Sequence, residues 1–93
     1  MSEVVMLKLA SGMDVIGTHV NETKTDVILD KPLLLIIEAA VGEGEYKTQL
    51  VEMYPFAQDP EVSINKAQTL SVYTPTPEVA EAYLARFEGP RDD

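Results

Sequence analysis

Apolar and polar positions alternate from the fourth residue onward. Over residues 4–10, Val5, Leu7 and Leu9 fall on one side of an extended chain and Val4, Met6 and Lys8 on the other, the period-two pattern of a strand. Ser11-Gly12 is a turn signal, because glycine reaches positive φ without a Cβ clash. Alternation resumes over residues 14–20, with Ile16, Thr18 and Val20 on one face and Val15, Gly17 and His19 on the other. A glycine inside a strand predicts a bulge or a close backbone approach at Gly17. After a polar connection, 21–25, the segment 26–29 is a strand with Val27 and Leu29 inward.

Lys31-Pro32 then interrupts the pattern. Proline has no N–H for a ladder, so an edge, bend or bulge is expected there. The run 33–37 (LLLII) is apolar on both faces. A small single-layer sheet buries only one, so a helix or a neighbouring subunit is expected over the other. Residues 41–45 (VGEGE) read as an acidic turn and 46–54 as a strand carrying Leu50 and Met53, followed by a loop at 57–60. Residues 62–64 and 69–73 are strand-like, separated by the polar step Asn65-Lys66-Ala67-Gln68. Thr76 is placed to cap a helix, with Pro77 at its first position and Glu78 in its first turn. Val79, Ala80, Tyr83, Leu84 and Phe87 form the apolar stripe of that helix, Arg86 lies near its end, and Gly89-Pro90 stops it.

The pattern predicts a mainly β protein: about five antiparallel strands in a meander that closes into a small, strongly bent barrel, then one helix. Ninety-three residues make one domain, with the barrel over 4–75, the helix over 76–89 and a tail at 90–93. A chain this short buries about 60–65% of its unfolded surface, so a partner subunit would add stability.

Charge narrows the partners. Sixteen acids face seven bases, for a net charge of −9, which repels nucleic acid and anionic lipid at long range. The bases are dispersed, and the acidity by itself serves solubility. There is no cysteine, which excludes disulfides and thiolate metal sites and suits a reducing cytoplasm. The opening MSEVVMLKLASG has Glu3 where a secretion signal wants a base, and its apolar run is short. No run approaches the roughly 18–20 apolar residues of a membrane span, so no membrane partner is expected.

Leu9-Ala10-Ser11-Gly12, Val15-Ile16-Gly17-Thr18 and Asp26-Val27-Ile28-Leu29 together resemble the first block of the Sm-like (LSm) family. Ile64-Asn65-Lys66 occupies the place of its short second block, and Pro75 the end of its final strand. The similarity spans roughly residues 4–75. The acidity and the helix-last layout also resemble small Sm-like proteins of tailed phages, which implies a cytoplasmic setting in a bacterial cell. Two features depart from the family. The Sm fold usually begins with a helix, whereas here the helix follows the barrel. RNA-binding Sm rings hold a base between an Asp and an Asn of one loop and an Arg of another. Here the Asn position is Asp26, the Asp position falls near Glu22 or Thr23, the Arg position is Asn65, and the following Gly is Lys66.

The resemblance implies a non-enzymatic protein that forms a homo-oligomeric ring, or another strand-edge assembly, and serves as an interaction or scaffold component, with no cofactor. Its alternative is a single-stranded RNA-binding module whose inner loops contribute Asn21, Thr23, Asp26, Asn65, Lys66 and Gln68, flanked by Lys24. A carboxylate at Asp26 repels phosphate, and replacing the Arg removes a stacking and bidentate donor. Elsewhere the chemistry is sparse. His19 is the only histidine and has no cysteine to join it in a metal site, so it reads as a surface or interface residue. Ser11, Ser63 and Ser71 lack a base nearby in sequence. Glu38, Glu43 and Glu45 lack calcium-loop spacing and read as a solvated hairpin tip. Asp14 and Asp26 read as surface charge.

Overall fold

The computed structural model describes residues 3–39, 46–55 and 58–88. The acidic turn 41–45, the helix stop at Gly89-Pro90 and the tail 90–93 lie outside them, as does part of the 57–60 loop. Among the described residues there are six strands: β1 (Glu3–Leu9), β2 (Asp14–Glu22), β3 (Asp26–Ala39), β4 (Tyr46–Glu52), β5 (Glu61–Asn65) and β6 (Thr69–Tyr73). A single 3₁₀ turn, Lys66–Gln68, joins β5 to β6, and one helix, α1 (Pro77–Glu88), follows.

All pairings are antiparallel. The sheet runs β4-β3-β2-β1-β6, and β5 pairs with the first half of β3 while β4 pairs with its second half. The expected count of about five strands becomes six because the step at 65–68 folds into the 3₁₀ turn and separates β5 from β6.

Short-range geometry forces curvature. A flat sheet would hold β5 and β6 about 19 Å apart, at about 4.8 Å per strand spacing. The three-residue connection spans at most about 14 Å, so the sheet curls. The curl stops short of the closed barrel expected from the sequence, since β5 and β6 form no ladder with each other among the described residues. The connecting turn spends its backbone groups elsewhere. Lys66 N donates to Thr25 O at 2.8 Å, and Gln68 O accepts from Ala10 N at 2.7 Å. The turn therefore straddles one end of the curl and holds the two strands apart.

Two apolar layers follow from the alternation. Val5, Leu7, Val15, Val27, Leu29 and Ile64 fill the concave side. Met6, Ile16 and Leu33 face the other side, where Tyr83 of α1 covers them and Val79, Leu35 and Leu50 pack around. Burying side chains of this size contributes about 1.5–3 kcal/mol each. The doubly apolar run 33–37 is thus answered partly within the chain: Leu34 joins the first layer, Leu33 and Leu35 the second, and Ile37 remains 57% exposed.

The inward face of β3 switches from odd residues (Val27, Leu29) to even (Leu34) across Lys31-Pro32. Opposite β2, Ile16 pairs with Leu33 but Thr18 with Asp30, so β3 carries one extra residue, the signature of a bulge. Lys31 there has φ of 52°. Gly17, unpaired in that ladder, lies against the bend: a Cβ on it would stand 3.1 Å from Leu29 Cβ and 3.4 Å from Pro32 Cα. The expected close approach at Gly17 is therefore present. Thr76 caps α1 by accepting from Val79 N at 3.4 Å, and Arg86 Nη1 donates to Leu50 O at 2.7 Å, fastening the helix to its own sheet.

Candidate functional site

The curl brings the β2–β3 turn beside the 3₁₀ turn. Asp26 pairs with Asn65 across the β3–β5 ladder, and Lys66 N is bonded to Thr25 O. Thr23, Asp26, Asn65 and Lys66 therefore converge. Asn21 sits on β2 opposite Ile28, at the second register shift of that ladder. Gln68 lies at the far end of the 3₁₀ turn, tied by its carbonyl to Ala10.

Three of these six polar side chains serve the backbone. Thr23 Oγ1 accepts from Asp26 N at 3.0 Å and from Thr25 N at 3.3 Å, which closes the β2–β3 turn. Asn65 Oδ1 accepts from Ala67 N at 2.7 Å and caps the 3₁₀ turn. Asn21 Oδ1 accepts from Glu22 N at 2.8 Å. These are the local side-chain-to-backbone bonds that Asn and Thr make where a strand ends.

The cation of the group is occupied as well. Lys66 Nζ lies 2.8 Å from Glu22 Oε2, and His19 Nε2 lies 3.4 Å from Glu22 Oε1. The Lys66 hydrogen bond, followed by that from His19, holds the Glu22 carboxyl below its ordinary value. A shallow cavity of about 340 Å³ runs from this ion pair along β6, lined by Val27, Leu70 and Val72 among others. The sequence pattern named the turn residues but missed the Glu22–Lys66 pair. Its signal was opposite charge in two loops that the fold brings together.

Asp14, read as surface charge, joins three strands. It accepts from Lys8 Nζ and from Tyr73 Oη, each at 3.0 Å. Burial, then the bond to Asp14, pushes the Tyr73 phenol above its ordinary value. Among the described residues no three His, Asp or Glu side chains gather as metal ligands, and no helix is long and apolar enough to cross a membrane.

No protein-family model matches the chain, and no curated protein matches it either.

Proposed function

We propose that this chain is a non-enzymatic, Sm-like interaction protein that assembles with copies of itself through its two unlike sheet edges. The observation that carries this reading is β6. It pairs only with β1 among the described residues, and it leaves Leu70 69% and Val72 53% exposed. An unpaired apolar edge is an aggregation hazard unless another strand covers it. The opposite edge is different, formed by β4 and β5 on the two halves of β3. Unlike edges pair head to tail, and such contacts close into a ring or run on as a filament. The Sm-like reading is supported by the order of strand, glycine turn and glycine-bearing strand over β1 and β2 and by the meeting of the β2–β3 turn with the turn before the last strand.

An RNA-holding role for the inner turns is the weaker reading. Lys66 is paired with Glu22, and the amide oxygen of Asn65 is committed to the backbone. A six-membered ring would also carry about −54 charges, which opposes polyanion binding.

Hydrogen–deuterium exchange across a dilution series tests the assembly. Beyond β1, β6 has no strand partner among the described residues, so its outward amides should exchange slowly at high protein concentration and quickly on dilution. Exchange of these amides at the rate of open turns at every concentration would reject the reading.

A further inference from the structure

A separate concavity lies where the β3 bend, the end of β4, the 58–60 turn and the last turn of α1 meet. Its volume is about 250 Å³, below the roughly 300–1,000 Å³ that encloses a whole small molecule, and suited instead to one side chain of a partner. Tyr54 and Phe87 stand in its wall, 49% and 40% exposed. Glu52 and Asp59 also line it, and neither carboxylate is ion-paired among the described residues.

Lys31 also lines the cavity and already occupies the Phe87 face, which leaves Tyr54 as the free aromatic wall. Lys31 Nζ sits 5.2 Å from the centre of the Phe87 ring. Lys31 N also donates to Pro60 O at 2.8 Å, which fixes the 58–60 turn against the bend. Aromatic faces attract cations through the ring quadrupole. A planar guanidinium can lie on such a face and still direct N–H groups at carboxylates, which a lysine ammonium does less well. The net charge of −9 draws basic partners at range.

We propose that this cavity receives an arginine side chain presented by an extended segment of a partner protein, its guanidinium against Tyr54 and its N–H groups directed at Glu52 and Asp59. The site borders the β4–β5 edge proposed for assembly.

The test is an NMR titration of the full ¹⁵N-labelled chain with the blocked peptide acetyl-Gly-Gly-Arg-Gly-Gly-amide and with its citrulline counterpart, which keeps the shape and loses the charge. The titration is repeated on a Leu70→Lys/Val72→Lys variant, in which the β4–β5 edge stays uncovered and failure of the site is distinguished from masking by a neighbour. The arginine peptide should shift amides around Lys31, Glu52, Tyr54, Asp59 and Phe87. The citrulline peptide should bind about tenfold more weakly. A Glu52→Gln/Asp59→Asn double variant should abolish the difference, and Tyr54→Ala, at an exposed position, should weaken the arginine peptide about threefold to fivefold. The proposal is overturned by shifts spread over the whole acidic surface, by equal binding of the two peptides, by a double variant that still tells them apart, or by no shift up to about 10 mM peptide.

Discussion

The Tyr83 hydroxyl shares its one proton between the carbonyls of the β3 bend, lying 2.9 Å from Asp30 O and 3.0 Å from Lys31 O. Thr18 Oγ1 is 3.2 Å away and can donate in turn. A single helical side chain thus reaches both carbonyls of the bulge. Tyr83→Phe keeps the buried ring and removes the bond, so it should cost about 1–2 kcal/mol in a denaturant melt.

The same hydroxyl sets an alkaline limit. Burial, the largest cause, holds the Tyr83 phenol above its ordinary 10.0. A raised folded value means stability that is full below the unfolded value and is lost as pH rises through the folded one. Melts taken across that range should show the wild type losing stability, with Tyr83→Phe losing less. Parallel losses in the two proteins would contradict this.

Gly17 has little room for a side chain. A Cβ there would stand 3.0 Å from the movable Leu29 Cδ1, but also 3.1 Å from Leu29 Cβ and 3.4 Å from the Pro32 backbone. Gly17→Ala should therefore destabilise the chain by about 1–3 kcal/mol through a shift of the bend, which a denaturant melt would measure.

At Glu22 the prediction concerns titration. Its carboxyl lies below the ordinary value chiefly because of Lys66. Its stabilising contribution is present at neutral pH and is lost as pH falls through the lowered folded value. In an NMR titration, Lys66→Met should move the Glu22 midpoint up towards the ordinary value. An unmoved midpoint would show that the pair does not persist in solution.

Local pattern carried much of the fold into view. Period-two alternation separated Val5 and Leu7 from Met6, and the Thr76-Pro77 cap marked the start of α1. The change of face at Lys31 was hidden, because a lysine at positive φ carries no compositional mark; only Pro32 hinted at it. The failure of β5 and β6 to pair was hidden for another reason. It depends on where Lys66 and Gln68 find backbone partners, at Thr25 and Ala10, and those contacts are long-range. Among the candidate site residues, the turn chemistry of Thr23 and Asn65 was readable from residue type. The Lys31–Phe87 contact joins residues with no local relation, so only the tertiary structure reveals it.

The proposed assembly covers the β6 edge with another copy of the chain. Light scattering on the purified protein at tens of micromolar, beside a Leu70→Lys/Val72→Lys variant, tests it most directly. Both side chains are exposed, so the variant should fold as the wild type does. The wild type should show a mass several times the 10.2 kDa of one chain, and the variant should be monomeric. A wild type that scatters as a monomer, or a variant that assembles as the wild type does, would contradict the proposed assembly.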